Sequence, residues 1–448
     1  MQNNGSASFD NTTLTRREFL EGSALIAAGF VVGCAVDPVT GKKQLMLVSE
    51  DQEIQIDKQY SPFQFSADYG VTQDKSLNNY IDKVGKQIGA RTHRPHMPYN
   101  FHVVNATYVN AYAFPGGSIA ATRGILLKLE DEAELASLLG HELGHVNARH
   151  SAEQMSKGTL TQAVVGGISA LAGTQGAVYG EMAAQLGSIG AGALLASYSR
   201  ENEREADALG LAYMVDSGYG SDGFVGLMDM LNSLSKRKLS SAELLFATHP
   251  MSDERYRTAV RAVQTTYQSS RNRPLHRERY MDNMAGLRAR KDAIEEMQKG
   301  EESLMHKKYS DADLHFRNAL KKAPNDYAGL VLMATSQLVQ KKWAVGRQYA
   351  GMAQKAYPQE AQAYHLSGFA KIQLKDYDAA YEDFVRYDEL LPGNPNTTFF
   401  KGYAREGMQD YQQSAGEYQR YLQMVQQGQY AQHAYRRLKE WQAKGLIR

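Results

Sequence analysis

Cysteine is almost absent from this chain, with Cys34 the single example in 448 residues. A chain without a second thiol has no disulfide framework, which argues against a structural role for Cys34. The remaining structural interpretation is a free buried thiol. Any metal site elsewhere in the chain must be built without cysteine, which suits an oxidising compartment.

An excess of charge of either sign is also missing. The 50 Lys and Arg residues balance 49 Asp and Glu residues, so there is no basic field that would attract nucleic acid. Proline is scarce, at 11 residues, which is consistent with a mainly helical protein. No motif in the sequence suggests a phosphate-binding glycine loop or a serine-based triad.

The N-terminus has only a short apolar run. Gly22 to Gly33 is too short to span a bilayer as a helix. It follows Thr15 to Leu20, TRREFL, which resembles a twin-arginine export signal, and it ends in Val31 to Cys34, VVGC, which resembles a lipobox. These features predict a bacterial lipoprotein lipidated at Cys34 and facing the periplasm or the cell exterior. Ala35 after the cysteine favours the outer membrane.

The segment HELGH, from His141 to His145, is the most informative motif. Histidines four residues apart share one face of a helix, so both imidazoles can bind one metal ion. Glu142 is then placed to act as a general base, the pattern typical of zinc hydrolases. The alternative is an ordinary amphipathic helix.

A zinc site needs a further ligand from elsewhere in the chain. The metzincin spacing requires histidine at position 151, where this sequence has Ser151, so that subclass is excluded. The segment SRENEREAD places Glu203 and Asp207 four residues apart on one helix face, so that one carboxylate can bind zinc while the other accepts a proton from a ligand imidazole. Glu205 competes for the ligand role, and Glu201 is a weaker candidate. The alternative is a solvated charged helix.

A third motif is Thr248-His249-Pro250, followed by Arg255. His249 is a candidate fourth ligand, a transition-state stabiliser or a helix-cap residue. As a ligand it would compete with the catalytic water, because an active zinc site keeps one position open. A movable His249 would then switch the enzyme off and on. For Arg255 we consider a transition-state role or a structural role.

The segment from Phe101 to Leu127 is interpreted as two strands that turn at Pro115-Gly116-Gly117. Its first strand contains Asn110, Ala111, Tyr112 and Ala113. An edge strand formed by these residues would hold an extended substrate backbone beside the metal. The alternative is an ordinary hairpin in a small sheet.

The C-terminal third repeats every 34 residues, the period of tetratricopeptide repeats. Three sets of positions keep this period in phase: Tyr309, Trp343, Tyr377 and Tyr411; Gly300, Ala334, Gly368 and Gly402; and Phe316, Ala350, Phe384 and Tyr418. We therefore predict four repeats that stack into an α-solenoid whose concave face binds peptides or partner proteins.

The motifs HELGHVNARH, SRENEREAD and THP, in this order, with the run NAYAFPGGSI, resemble the zinc metallopeptidases that group HtpX with the CaaX prenyl proteases. The similarity covers roughly residues 38–265. It implies an α+β metallopeptidase domain in which His141, His145 and Glu203 bind one zinc ion and Glu142 is catalytic. Known members are integral membrane enzymes, and in this respect the chain departs from them.

The whole chain is predicted to be mainly α, with a small β-sheet in the peptidase domain. The predicted organisation is a signal peptide at 1–33, a metallopeptidase domain at 34–270, a connecting segment at 271–292, four repeats at 293–428 and a capping helix at 429–448.

This combination resembles the periplasmic members of the family that act in β-barrel assembly. The resemblance implies misfolded or stalled outer-membrane β-barrel proteins as substrates and the barrel assembly machinery as a partner. The predicted function is thus a zinc-dependent endopeptidase of the cell envelope, attached to a membrane through its lipid. The alternative is a chaperone or assembly scaffold that acts through the repeats while its protease site is largely repressed.

Overall fold

A computed structural model of the chain describes residues 34–36, 38–39, 41, 43–161 and 197–447. The predicted signal peptide at 1–33 lies outside these residues. Cys34 is described only through its backbone, in strand β1 (Cys34–Val36), which pairs antiparallel with β2 (Lys43–Leu45). In the described ranges we find no helix with the length and apolar character needed to cross a bilayer.

The N-terminal unit surrounds the helix that carries the HELGH motif. Its elements are α1 (Glu50–Ala67), α2 (Lys75–Gly89), β3 (Asn100–Val104), β4 (Ala111–Ala113), β5 (Ser118–Thr122), α3 (Arg123–Leu126), α4 (Glu132–Asn147), α5 (His150–Thr161), α6 (Arg200–Asp216), α7 (Asp222–Arg237), α8 (Glu243–Thr248) and α9 (Asp253–Gln264). Helix α4 is buried along its whole length, and α2, α6 and α7 pack around it. The motif is therefore held inside the unit rather than on its surface.

Local sequence explains where α4 begins. The Asp131 carboxylate accepts a hydrogen bond from the Glu134 amide at 2.9 Å and caps the helix N-terminus. Glu132 and Glu134 lie in the first turn, where negative charge stabilises the helix dipole. The helix ends at Asn147, and Arg149 then adopts a left-handed backbone with φ of 58°.

The sheet differs from the prediction of two strands. The segment from Phe101 to Leu127 contains three strands in the order β3-β5-β4, with β3 parallel and β4 antiparallel to β5. The predicted first strand is interrupted because residues 105–110 form a loop, in which the Val109 amide donates to the Ser241 carbonyl. The last part of the segment is helical instead of extended, since the Thr122 hydroxyl caps α3. The turn at residues 115–117 does join β4 to β5, and β4 lies at an edge.

The C-terminal part is an array of antiparallel helix pairs. It contains α11 (Lys291–Met305), α12 (Tyr309–Lys322), α13 (Tyr327–Val339), α14 (Trp343–Ala356), α15 (Gln362–Gln373), α16 (Tyr377–Leu390), α17 (Pro395–Gly407), α18 (Tyr411–Met424) and α19 (Gln429–Ala443). Helix α10 (Arg277–Arg288) precedes the array. The predicted fold class, mainly α with a small sheet followed by a helical solenoid, is confirmed.

The 34-residue period appears in the backbone as well as in the sequence. After the first helix of each pair, one residue adopts a left-handed conformation: Lys307, Lys341, Lys375 and Gln409. The helices of a pair touch where one residue is small. A Cβ atom built on Gly368 would lie 2.8 Å from the Phe384 ring, and one on Gly300 would lie 2.4 Å from the Phe316 ring. Small residues therefore allow these rings to fit between paired helices.

The array packs against the sheet of the N-terminal unit. Val104, Tyr112 and Ala120 of the sheet share one hydrophobic core with the array. The polar part of the contact includes Arg123, whose Nη1 donates to Asp326 Oδ2 at 2.6 Å, with both side chains almost fully buried. The two parts of the molecule are thus joined through the sheet whose edge strand is β4.

Candidate metal centre

Two helices meet closely at the HELGH motif. Gly140 and Gly144 on α4 face Ala206 and Gly210 on α6. A Cβ atom on Gly144 would lie 2.7 Å from the Ala206 carbonyl oxygen, and one on Gly210 would lie 2.7 Å from the His141 amide nitrogen. Because the backbones approach this closely, a side chain from the first turn of α6 reaches the histidines of α4.

That side chain is Glu203. The two motif histidines face each other, with His141 Nε2 3.1 Å from His145 Nε2. Glu203 Oε1 lies 3.2 Å from His145 Nε2, and Glu203 Oε2 lies 3.6 Å from His141 Nε2. All three side chains are buried. The structure therefore brings together the two histidines and the distant glutamate named as candidate ligands.

His249 belongs to the same cluster. It follows the last residue of α8, and its amide donates to the Leu245 carbonyl, so its backbone caps the end of that helix. Its side chain points into the cluster, with Nδ1 2.9 Å from Glu203 Oε1 and 3.4 Å from His141 Nε2. One donor atom from each of His141, His145, Glu203 and His249 lies within 4.8 Å of the other three.

The four residues fit a zinc ion. Zinc binds imidazole nitrogen and carboxylate oxygen at about 2.0–2.2 Å in a tetrahedron, which places neighbouring donors about 3.4 Å apart. The distances between 2.9 and 3.6 Å within the cluster are close to this spacing. Imidazole nitrogens and a carboxylate oxygen that converge in this way are the donor set that zinc prefers. We conclude that this cluster could hold a metal ion.

Carboxylates and a guanidinium orient the cluster from outside. Asp207 Oδ1 lies 2.9 Å from His141 Nδ1, on the side of the ring facing away from the cluster. Arg255 Nη2 donates to Asp207 Oδ1 at 2.9 Å, and the same guanidinium forms an ion pair with Glu203. Arg255 is 4% exposed, and in this structure it links two carboxylates.

The environment changes the acidity of the buried carboxyl groups. Burial raises the pKa of Glu142 above its usual value, against the opposing influence of His249 and His141. Burial also opposes ionisation of Glu203, but the nearby His249 and Arg255 hold its pKa well below the usual range. The two glutamates thus differ: one is kept ionised, and the other has a raised affinity for a proton.

The competing glutamates point elsewhere. Glu205 Oε2 lies 3.3 Å from His150 Nε2, and Glu201 pairs with Arg204 near the surface. Two further residues contact the cluster: His150, whose Nδ1 lies 2.9 Å from His145 Nδ1, and Tyr198, whose ring stacks on His145 with centroids 3.8 Å apart. Sequence reasoning missed both, although His150 ends the HELGHVNARH motif. The ring stacking of Tyr198 had no signal in the sequence.

The predicted substrate strand is in part an edge strand. Ala111, Tyr112 and Ala113 form β4, which pairs with β5 on one side only among the described strands. Asn110 precedes β4 and is fully buried, and neither polar atom of its side chain has a hydrogen-bond partner among the described residues. Tyr112 donates its hydroxyl hydrogen to Asp68 Oδ2 at 2.5 Å.

Comparison with known proteins agrees with this geometry. The model of peptidase family M48 matches residues 75–263. The metalloprotease YcaL of Escherichia coli K12 is 34% identical over 185 residues, which cover 41% of this chain and 69% of that protein. The beta-barrel assembly-enhancing protease of Yersinia pestis is 30% identical over 223 residues, covering 49% of this chain and 45% of that protein. That of E. coli K12 is 26% identical over 235 residues, covering 51% and 47%. The chain thus spans about half the length of these barrel-assembly relatives.

Proposed function

This chain belongs to peptidase family M48, and on that premise we propose that it is a zinc-dependent endopeptidase of the bacterial cell envelope. The observation that carries the proposal is the buried cluster of three histidines and Glu203, with Glu142 beside it. Its proposed substrates are misfolded or stalled outer-membrane proteins, and its proposed partner is the barrel assembly machinery. The names of the relatives from Yersinia pestis and Escherichia coli support these two assignments.

His141, His145 and Glu203 are the proposed zinc ligands. When bound, zinc supplies Lewis acidity and makes a water nucleophile available near neutral pH. The surrounding residues keep the ligands in the right state. Asp207 lies beside His141 Nδ1, so the proton of that ring is held on the outer nitrogen. Arg255 keeps both Glu203 and Asp207 ionised.

Glu142 is the proposed general base and acid. Its Oε2 is buried and has no hydrogen-bond partner in the described part of the chain, so it is available to accept a proton from the attacking water. Burial raises its pKa, which favours transient protonation. Glu142 then returns the proton to the leaving amine of the cleaved peptide bond.

The test is Glu142→Gln. The variant keeps the ligand set, so it should bind zinc with the stoichiometry of the wild type. Cleavage of an unfolded substrate such as casein should fall by about 10²- to 10⁴-fold, the usual contribution of general acid–base catalysis. Zinc content by mass spectrometry and the initial cleavage rate are the two measurements. Undiminished cleavage would remove Glu142 from the mechanism.

We further propose that His249 restrains the protease. Its Nδ1 lies 2.9 Å from Glu203 Oε1, so it could serve as a fourth ligand in the position that an active zinc site leaves open. Bound there, it would exclude the catalytic water. His249→Ala should therefore raise chelator-sensitive cleavage of casein above the wild-type rate. A rate equal to or below that of the wild type would contradict this role.

The helical array is the proposed binding site for extended polypeptide. Helices α15, α17 and α19 line an open cavity of about 650 Å³. Its wall includes the half-buried rings of Tyr403 and Tyr430 and the exposed side chains of Gln373, Gln432 and Arg436. Phenol and amide groups can pair with a peptide backbone whatever its sequence, which suits clients that share only an unfolded state.

Binding through this cavity is tested apart from cleavage. In the Glu142→Gln background, replacing Tyr403 and Tyr430 by alanine should weaken binding of a fluorescently labelled unfolded outer-membrane protein, measured by anisotropy. Tyr435→Ala is the matched control, because this tyrosine lies on the same helix as Tyr430 but is 54% exposed and outside the cavity. Equal effects of the two changes would argue against the cavity.

The proposed location is the periplasmic face of the outer membrane, with a lipid on Cys34. The proposal rests on the sequence signals at residues 15–20 and 31–34. Labelling cells with a radioactive fatty acid tests it. Label should enter the wild type and be absent from Cys34→Ser, and an unlabelled wild type would contradict lipidation.

The second candidate function is a chaperone or assembly scaffold whose protease site is largely repressed. The observation that favours it is the position of His249 among the proposed ligands. Barrel assembly in the Glu142→Gln variant separates the two functions. If Glu142→Gln and His249→Ala both show no cleavage while assembly is still promoted, the scaffold is favoured.

A further inference from the structure

The outer nitrogen of His145 has an unusual partner. While Nε2 of this ring faces His141, Nδ1 lies 2.9 Å from Nδ1 of His150, which is 2% exposed. A metal-binding imidazole usually directs its second N–H to a carboxylate, a carbonyl or water. Asp207 fills that role for His141. For His145 the acceptor is another histidine, which can itself exist in two tautomers.

The turn between α4 and α5 places His150 there. Arg149 has φ of 58°, a left-handed conformation that is unfavourable for a residue with a side chain. Its guanidinium holds this conformation, because Nε donates to Glu53 at 3.0 Å and Nη2 donates to the Val48 carbonyl at 2.7 Å. Glu53 is fully buried. Fixed contacts to α1 and to the segment before it therefore set the position of the next residue, His150.

Glu205 determines which nitrogen of His150 carries the proton. Glu205 Oε2 lies 3.3 Å from His150 Nε2, and an ionised carboxylate can only accept. Neutral His150 must then carry its proton on Nε2 and present a lone pair at Nδ1. The facing Nδ1 of His145 must donate to that lone pair. His145 is left with a lone pair on Nε2, the atom that faces the cluster.

The plane of the His145 ring is fixed as well. Tyr198 stacks on it at an interplanar angle of 20°, and the Tyr198 hydroxyl lies 3.0 Å from the hydroxyl of Ser151 on α5. The ring is thus held by a stacking contact on its face and by a hydrogen bond at its outer nitrogen. Both contacts involve α5, the helix that begins at His150.

We propose that His150 and Glu205 are positioning residues that select the metal-binding tautomer of His145. The proposal rests on the proposed function, since it presumes a metal bound at this cluster. It also gives Glu205 a role other than that of a ligand. The contacts from Glu205 to His150 and from His150 to His145 would fix the tautomer of His145, as the contact of Asp207 fixes that of His141. Each proposed ligand histidine would then be fixed by its own outer acceptor.

The first test compares His150→Leu with His150→Gln. Leucine removes the acceptor, whereas the amide of glutamine can accept from His145 and donate to Glu205. Zinc affinity, measured by competition with a chromogenic chelator, should fall about 10- to 100-fold in His150→Leu, the usual cost of losing such a partner. It should stay within about threefold of the wild type in His150→Gln. The unfolding temperature of the metal-free protein separates positioning from folding, because a positioning role leaves it unchanged.

The second test does not depend on the folding of the His150 variants. Glu205→Ala removes the terminal acceptor at a partly exposed side chain, and Glu201→Ala on the same helix is the matched control. With cobalt in place of zinc, visible absorption reports the geometry of the ligands. The spectrum should change in Glu205→Ala and His150→Leu, but not in Glu201→Ala.

The outcomes distinguish this inference from the proposed function. If the wild type binds no stoichiometric zinc, the proposed function fails. If the wild type binds zinc but His150→Leu and Glu205→Ala bind it with wild-type affinity, only the tautomer assignment fails. An equal loss in His150→Leu and His150→Gln, together with lower metal-free stability, would also overturn it, since that pattern indicates a packing role.

Discussion

Three glutamates on one helix show how strongly the pKa of a side chain depends on its surroundings. Glu132, Glu134 and Glu142 all lie on α4 and are all buried. Burial opposes ionisation of Glu132, yet hydrogen bonds from Arg279, Tyr80 and Tyr219 lower its pKa overall. Among the described residues, no donor bonds to Oε2 of Glu142, and burial raises the pKa of this carboxyl group. Only a glutamate of the second kind is suited to take up a proton in catalysis.

Glu134 offers a test of this argument away from the metal cluster. Burial raises the pKa of Glu134 to about 7, against a hydrogen bond from the Glu130 amide. A carboxyl group whose pKa is higher in the folded than in the unfolded protein stabilises the fold at low pH. This contribution is lost as pH rises from about 4.5 through about 7. Over that pH window the free energy of unfolding of the wild type should fall by about 3 kcal/mol. The Glu134→Gln variant should not show this fall.

Urea unfolding at pH 5 and pH 8 measures the difference. Glutamine at this position can still accept from the Glu130 amide, so the variant should lack this part of the pH dependence. Glu278→Gln, an exposed first-turn change on α10, is the control and should follow the wild type. Parallel loss of stability in Glu134→Gln and the wild type would show that Glu134 is not the group responsible.

At the scale of helices, α4 and α6 cross with little space between their backbones. Gly144→Ala would place a Cβ atom 2.7 Å from the Ala206 carbonyl oxygen, so the two helices must move apart. We expect a loss of stability of about 1–3 kcal/mol and weaker zinc binding, because Glu203 moves away from the histidines. Gly351→Ala in α14 is the control. No atom of the described residues lies within 4 Å of its added Cβ, so this change should be neutral or slightly stabilising. Wild-type zinc affinity in Gly144→Ala would contradict the proposed role of the crossing.

In the array, the size of a residue on the first helix of a pair varies with the size of the facing residue on the second helix. Where the first helix has Gly368, the second has Phe384, and where the first has Ala334, the second has Ala350. Gly368→Ala should cost about 1–3 kcal/mol through contact with the Phe384 ring. The same change should cost less in a Phe384→Leu background. A double-mutant cycle with urea unfolding measures this coupling, and additive effects would show that the two positions do not compete for space.

The elements differ in how far sequence could predict them. The array could be predicted because its period of 34 residues is repeated in three sets of positions. The sheet was predicted with one strand too few, since the loop at 105–110 depends on a contact with Ser241, far away in sequence. The HELGH histidines have a local spacing signal. The proposed positioning of His145 by His150 has no such signal in the sequence, because it requires the backbone conformation of Arg149 and the approach of α6.

At the scale of the whole molecule, one buried ion pair joins the array to the peptidase unit. Arg123 follows β5 directly, and Asp326 is the N-cap residue of α13, whose carboxylate also accepts from the Gly329 amide at 3.1 Å. Burial opposes ionisation of Asp326, but Arg123 keeps its pKa below the usual value. Asp326 thus caps an array helix and also binds Arg123, the residue that directly follows the strand next to β4. Displacement of the array is therefore expected to disturb the sheet.

Asp326→Asn tests this coupling because asparagine preserves the helix cap while removing the charge. The change leaves Arg123 buried without a counter-ion, which should cost about 3 kcal/mol and lower the urea midpoint. Adding Arg123→Met should recover much of that loss, since removing both charges is tolerated better than removing one. The control is Asp74→Asn, an exposed N-cap of α2 that accepts from the Leu77 amide at 3.0 Å and should leave stability unchanged.

Trypsin cleavage within residues 271–292 should become faster in Asp326→Asn alone if the array separates from the unit. Equal cleavage in Asp326→Asn and Asp74→Asn would mean that the apolar core around Val104 and Tyr327 holds the two parts together without the ion pair.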